Sequence, residues 1–140
     1  CSQLSPRGII RGMDVLSSRI LLRPRDLQRS QRFYRDTLGL AVCREFGEPT
    51  DPGLVFFLGG GFLEVSGGGG PTTTGDTCLW LQVRDLDAEH RHLERLGVDI
   101  ARPPVREPWG LLEMWITDPD GVRIVLVEVP EQHPLRRDIR

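Results

Sequence analysis

The sequence repeats one local pattern twice, and this duplication limits the folds that it can adopt. The matching letters are R-D-L at 25–27 with L-G-L at 38–40, and R-D-L at 84–86 with L-G-V at 96–98. Asp26 and Asp85 stand where a helix N-cap is expected, since an aspartate accepts hydrogen bonds from the first free backbone amides. Gly39 and Gly97 stand where a helix commonly ends. Each copy therefore predicts one helix, and the two helices differ by one residue in length.

Strand-like runs surround both predicted helices in the same order. They cover 19–23, 40–46, 54–58 and 61–66 in the first copy, and 78–83, 98–101, 111–117 and 122–129 in the second. A D-P-D-G turn at 118–121 joins the last two. One copy alone has too little core to be stable, so the copies should pack together or pair with another chain. The sequence predicts an α+β fold, with two tandem βαβββ modules that form curved mixed sheets around a cup.

The organisation of the chain follows from these modules. Module one covers about 17–66, and module two covers about 77–129. The Gly-rich run G-G-G-G-P-T-T-T-G begins at Gly67 and predicts a linker over 67–76. Met13 reads as a natural start, so residues 1–12 are interpreted as a tag or a disordered N-terminus. A single domain is expected over 13–130, followed by a tail at 131–140.

Composition excludes several classes of partner. The formal net charge is -2, and basic residues are mixed with acidic ones, so nucleic acid is not an expected partner. No apolar run approaches the roughly 20 residues of a membrane span, so no membrane association is expected either. Three cysteines without CxxC spacing do not predict a disulfide framework, and no secretory signal is evident. We expect a cytoplasmic protein.

Four stretches resemble the vicinal oxygen chelate superfamily, which includes glyoxalase I, extradiol dioxygenases and bleomycin-resistance proteins. They are LRPRDLQRSQRFYRDTLGL at 22–40, FLEVSG at 62–67, LWLQVRDLDA at 79–88 and PWGLLEMWITDPDGVRIVLVE at 108–128. The resemblance covers nearly everything from Ser18 to Glu128. It implies the fold strongly and the activity only weakly, because the superfamily includes both enzymes and pure binding proteins.

The resemblance also implies four strand positions that bind a divalent metal in the family. They match Arg19, Glu64, Cys78 and Val125, and only Glu64 is of a usual ligand type. A guanidinium has no lone pair to donate, and valine has no ligand atom. We therefore expect no metal and no other cofactor, with a divalent metal as the alternative.

Strand alternation then predicts which side chains line the cup, because residues two apart share a face. The predicted ligand-binding residues are Arg19, Arg23, Phe62, Trp80, Gln82, Glu113, Trp115 and Arg123. Glu64 is the candidate catalytic base, with an ion pair to Arg19 or Arg123 as the alternative. If the pair is with Arg19, we expect its planar guanidinium to bind both carboxylate oxygens of Glu64, at the place where the family binds its metal.

Several alternatives stay open at individual residues. Trp80 and Trp115 either stack on a flat ligand or fill core. Trp109 either covers the cup or covers a sheet edge. Cys78 is predicted to be an inert buried thiol.

Three functions are compatible with the resemblance. The first is a glyoxalase- or bleomycin-resistance-like protein that has lost the metal site and binds a small organic molecule in its cup. The second is a metal-dependent or Glu-based lyase, epimerase or dioxygenase. The third is a non-catalytic interaction protein that acts as a dimer. A homodimer is expected from the family, while the sequence leaves open whether modules pair within one chain or across two.

Overall fold

Two four-stranded sheets, each covered by one helix, make up the computed structural model, which describes residues 16–67 and 78–134. The first module contains β1 Arg19–Leu22, α1 Leu27–Arg32, β2 Val42–Phe46, β3 Gly53–Leu58 and β4 Gly61–Val65. The second contains β5 Cys78–Gln82, α2 Leu86–Arg95, β6 Asp99–Arg106, β7 Leu112–Thr117 and β8 Arg123–Glu128. The predicted α+β class and the two tandem βαβββ modules are confirmed.

Both helices begin where the aspartates predict. The Asp26 side chain accepts a hydrogen bond from the Arg29 amide at 3.1 Å, and the Asp85 side chain accepts one from the Ala88 amide at 3.0 Å. Beyond the helix ends, Gly39 and Gly97 adopt φ values of 72° and 74°, which glycine reaches without steric cost. Both ends of each helix are therefore set by local signals.

The first helix differs from the prediction in its second half. After Arg32 the chain continues as a π-helical turn, Phe33–Thr37, in which the Leu38 amide donates to the Phe33 carbonyl at 2.9 Å. Phe33 and Tyr34 are both buried in this turn, with their rings edge to face at 5.1 Å between centroids. Because a π-helical turn is wider than an α-helical one, the two adjacent aromatic side chains can both pack in the core.

The two sheets have the same topology, as the duplication predicts. Sheet one has the order β1-β4-β3-β2, and sheet two has the order β5-β8-β7-β6. In each sheet the module's first strand pairs in parallel with its last strand, and the remaining pairs are antiparallel. Each helix is therefore the crossover that joins an edge strand to the hairpins.

One strand is much longer than predicted. The sequence indicated 98–101, whereas β6 runs from Asp99 to Arg106 and includes Pro103 and Pro104. Prolines are tolerated there because β6 lies at the sheet edge, and the pairing register shifts between Arg102 and Val105. The predicted linker beyond Gly67, the predicted N-terminal segment 1–12 and the last six residues of the predicted tail lie outside the described residues.

The helix sides of both sheets share one apolar core. This core includes Phe56 and Leu63 from module one with Met114 and Ile124 from module two, all fully buried. Tyr34 crosses between the modules and donates a hydrogen bond to Asp118 in the β7–β8 turn at 2.7 Å. The opposite faces of the sheets do not take part in this shared core. In the described part of the chain, no helix is long and apolar enough to cross a membrane.

Candidate functional site

The candidate site is the face of each sheet that points away from the helices, which we call the cup face. Alternate residues of the strands belong to the shared core, so their neighbours lie on the cup face. On sheet one these are Arg19, Leu21, Arg23, Val55, Phe57, Phe62, Glu64 and Ser66. On sheet two they are Cys78, Trp80, Gln82, Arg102, Glu113, Trp115, Arg123, Val125 and Val127. All the sequence-predicted site residues lie on one of these two faces, while their roles stay predictions.

Glu64 is the centre of a polar cluster on sheet one. Arg19 Nη1 donates to Glu64 Oε1 at 2.8 Å, and Arg23 Nη1 donates to Glu64 Oε2 at 3.1 Å. The Ser66 hydroxyl donates to the same Oε2 at 2.5 Å and also accepts from Arg23 Nη1. The predicted ion pair between Arg19 and Glu64 is present. It is not a two-point bond, because the second carboxylate oxygen binds Arg23 and Ser66 instead.

These contacts change the acidity of Glu64. The hydrogen bond from Ser66 and those from Arg19 and Arg23 stabilise the carboxylate, and they lower its pKa from 4.5 to about 2 although burial opposes the shift. A carboxylate of such low basicity is a poor general base near neutral pH. The catalytic role predicted for Glu64 is therefore not the role that its contacts favour.

An aromatic pair lies beside this cluster. Phe62 is aligned with Arg19 across β1 and β4, and with Phe57 across β4 and β3. The two rings are 5.8 Å apart between centroids and inclined by 43°. Phe57 is 49% exposed, which is unusual for a phenylalanine on a central strand. The row from Arg19 to Phe57 thus combines a cation with an accessible apolar surface.

On sheet two, Trp115 is already stacked. The guanidinium of Arg102 lies 3.9 Å from the ring centroid, and that of Arg123 lies 4.6 Å from it. The two arginines come from the strands on either side of Trp115. Arg102 Nη2 also donates a hydrogen bond to Glu107 Oε2 at 2.6 Å, which fixes the position of this guanidinium. Cation–π contacts of this kind occupy the ring surface that a flat ligand would need.

The other two tryptophans are more accessible. Trp80 is 51% exposed, so it does not fill core. The Trp109 indole donates to the buried Glu113 carboxylate at 2.9 Å, which anchors the β6–β7 loop over the cup face of β7. Gln82 is half-buried on the same sheet.

Cys78 is not the buried thiol that the sequence predicted. It is exposed, because it begins β5, which is an edge strand of sheet two. Strand patterns do not reveal which strands lie at an edge, and the prediction of burial was wrong for that reason.

Comparison with known proteins supports the resemblance. The family model of the glyoxalase/bleomycin resistance protein/dioxygenase superfamily matches residues 17–126. The chain belongs to this superfamily. A search of curated proteins gave no significant match. The fold is nonetheless shared with many solved structures of the superfamily.

Three solved structures illustrate the likeness. A glyoxalase/bleomycin resistance protein/dioxygenase superfamily member from Sphaerobacter thermophilus is 25% identical with a TM-score of 0.69, covering 82% of this chain and 98% of its own. TioX from Micromonospora sp. ML1 is 22% identical with a TM-score of 0.69, covering 81% and 98%. A glyoxalase family protein from Enterococcus faecalis is 24% identical with a TM-score of 0.63, covering 82% and 97%.

The residues that the resemblance matches to the superfamily's metal positions are Arg19, Glu64, Cys78 and Val125, and one carboxylate with one thiol is too small a ligand set for a divalent metal. Glu64 is the one usual ligand type among them, and both its oxygens bind arginine. Arg19 directs a fixed positive charge at that carboxylate, and Val125 offers no ligand atom. Within 16–67 and 78–134, no group of three or more His, Cys, Asp or Glu residues could hold a metal ion. The side chains at these positions therefore suit an ion pair better than metal coordination.

Sequence reasoning missed four members of the cup face, among them Val55, which shares the strand of Phe57. Ser66 lies two residues after Glu64 on the same face, so strand alternation contained the signal for it. Phe57 was not assigned to a face because its strand is apolar on both sides. Arg102 was missed because the strand that carries it extends through two prolines.

Proposed function

We propose that this superfamily member binds a small organic molecule on its cup face and does not use the family's metal centre. The observation that supports this most directly is the occupation of Glu64 by Arg19, Arg23 and Ser66. A metal at this position would have to displace two guanidiniums, which would then repel it. The cluster therefore replaces the metal as the partner of the carboxylate.

Binding rather than catalysis is favoured by the same contacts. The low pKa of Glu64 makes it a weak proton acceptor, and the exposed Phe57 and Trp80 offer apolar contact area. Pockets for small molecules combine apolar walls with a few fixed polar groups. The cup face has this composition.

Metal content and ligand binding test the proposal together. We expect purified protein to carry no stoichiometric metal, and titration with nickel, zinc, manganese and iron(II) to leave the melting temperature unchanged. We expect members of a small-molecule library to raise it. One equivalent of tightly held metal that is lost in Glu64→Gln would contradict the proposal and favour a metal-dependent enzyme. A library in which nothing stabilises the fold would also contradict it.

We further propose that a second copy of the chain closes the cup. The modules of one chain join through their helix sides, and Leu21, Phe57 and Trp80 on the cup faces remain about half exposed, at 50%, 49% and 51%. Large apolar side chains that are exposed on both cup faces favour association. A homodimer that brings one sheet of each chain together would cover them and leave a pocket between.

Sedimentation equilibrium at micromolar concentration tests this assembly. We expect a dimer for the natural sequence and a monomer for Phe57→Asp. The matched control is Leu96→Asp, since Leu96 is also 49% exposed but follows α2, away from the cup face. A monomeric natural protein, or equal dissociation in both variants, would contradict the proposal.

A further inference from the structure

We propose that the ligand of the cup is an organic anion with a flat apolar body, whose carboxylate binds the Arg19–Arg23 pair and whose ring rests on Phe62 and Phe57. This inference rests on the proposed small-molecule function and specifies its ligand class. Neither the superfamily match nor the likeness to solved structures indicates a charge for the ligand.

The charge of the cluster is the first step. Two guanidiniums share the single carboxylate of Glu64, so the cluster keeps one net positive charge. Glu64 is buried beneath them, while the side chains of Arg19 and Arg23 are 39% and 55% exposed. The excess charge is therefore presented on the accessible side of the cup face, although the whole chain has a formal net charge of -2.

The hydrogen-bond donors are the second step. A guanidinium has N–H donors on three nitrogens, and in their contacts with other described residues Arg19 and Arg23 each use Nη1 alone. Each keeps the Nε and Nη2 donors, whose fork geometry matches the two oxygens of a carboxylate. Glu64 and Ser66 hold the arginines in place, which reduces the ordering that an incoming anion must impose.

The apolar surface next to these donors is the third step. Phe62 is paired with Arg19, and Phe57 is paired with Phe62 one strand further, so the three side chains leave the same face from neighbouring strands whose backbones are about 5 Å apart. A carboxylate bound to Arg19 would place an attached ring over this pair. Trp115 is a less suitable platform, because Arg102 and Arg123 already stack on it.

Three probes of the same shape and different charge test the ligand class: 2-naphthoate, neutral 2-naphthamide and cationic 2-naphthylmethylammonium. Binding is measured by isothermal titration calorimetry and by chemical-shift changes in the full chain. We expect 2-naphthoate to bind about tenfold or more tightly than the amide, because only the carboxylate can form a two-point ion pair with a guanidinium, whereas the amide offers a single neutral oxygen as acceptor. The cation should bind most weakly, and added salt should narrow the differences.

Variants locate the effect. Arg23→Gln keeps a donor for Glu64 but removes charge, and it should reduce the affinity for 2-naphthoate to about that for the amide. Arg35→Gln is the matched control, since Arg35 also pairs with a carboxylate, Asp36, but on the exposed side of the first helix. The affinity of Arg35→Gln for 2-naphthoate should equal that of the unsubstituted protein. Circular dichroism verifies that both variants fold.

The outcomes separate the two proposals. Equal binding of all three probes, tighter binding of the cation, or an unchanged affinity in Arg23→Gln would overturn the anion inference and leave small-molecule binding intact. If none of the probes binds while other library members do, the anion inference fails alone. If no small molecule of any charge binds, both proposals fail.

Discussion

Replacing Phe56 with alanine should lower the free energy of unfolding by about 3–5 kcal/mol, the range typical of a deleted core aromatic ring. Phe56 is fully buried, and its ring lies 6.3 Å from that of Tyr34, which links the modules through Asp118. The surrounding core comes from both modules, so it has little freedom to collapse into the cavity. A loss of this size is a large part of the stability of an ordinary domain.

The position of the tryptophans makes the measurement informative. All three, Trp80, Trp109 and Trp115, lie in module two, whereas Phe56 lies in module one. Urea unfolding followed by tryptophan fluorescence therefore reports on the module that is not mutated. Because the core is shared, we expect fluorescence and circular dichroism to give the same lowered midpoint.

A half-exposed residue away from the cup face provides the control. Leu96→Ala removes an apolar side chain that is 49% exposed at the end of α2, and it should cost less than about half of the Phe56 effect because less area is lost from the interior. If Phe56→Ala shifts only the circular dichroism signal and leaves the fluorescence midpoint in place, the modules unfold independently and the shared core does not couple them.

Glu64→Gln should destabilise the protein by about 1–3 kcal/mol at neutral pH, the cost of weakening hydrogen bonds to a buried charged group. The glutamine keeps the shape of the side chain but loses the charge that Arg19 and Arg23 share. Two guanidiniums then face each other without a carboxylate between them. The exposure of both arginines to water keeps the expected loss at this moderate level.

The same variant should flatten the acid dependence of stability. The pKa of Glu64 is about 2 in the folded protein and 4.5 ordinarily, so the folded state binds its proton more weakly than the unfolded state does. Its stabilising contribution is complete above pH 4.5 and is lost as the pH falls towards 2. In Glu64→Gln this loss is absent, so the two proteins should converge in stability near pH 2.

Urea unfolding at several pH values between about 7 and about 2.5 measures this difference, since the carboxylate changes its protonation across that range. Asp36→Asn is the control, because Asp36 also has a lowered pKa through Arg35 but is fully solvated, and surface pairs contribute little. If the difference in free energy of unfolding between Glu64→Gln and the unsubstituted protein stays constant over the whole pH range, the charge of Glu64 does not stabilise the cluster.

Much of the fold could be predicted because its signals are local. Asp26 and Asp85 begin the helices through hydrogen bonds within three residues, and the glycines that end them need only their own backbone freedom. Strand alternation likewise placed Arg23 on the face of Arg19 and Phe62 on the face of Glu64, whereas the positions of Arg19 and Glu64 themselves came from the resemblance to the superfamily. For the helix ends and the alternation, the information was present in each segment without reference to the rest of the chain.

What could not be predicted depends on the position of strands within the sheets. Pro103 and Pro104 continue β6 because no further strand pairs beyond it in the described part of the chain, and Cys78 is exposed because β5 also lies at an edge. Oε2 of Glu64 accepts from Arg23 and Ser66, and Arg19 bonds only to Oε1, because three side chains share the two carboxylate oxygens. Such competition is decided by packing in three dimensions.

The junction of the modules through their helix sides also affects how this chain can evolve. Substitutions of the exposed cup-face side chains change neither the shared core nor the Tyr34–Asp118 link, so the binding surface can be altered in small steps while the fold is retained. Gly53 is an exception at the margin of that face, since a methyl group there would come within 2.6 Å of the Phe46 ring. Selection for a new ligand would therefore act most easily on the exposed side chains of the cup face, such as Phe57 and Trp80, and would encounter steric constraint at the outer hairpin of sheet one.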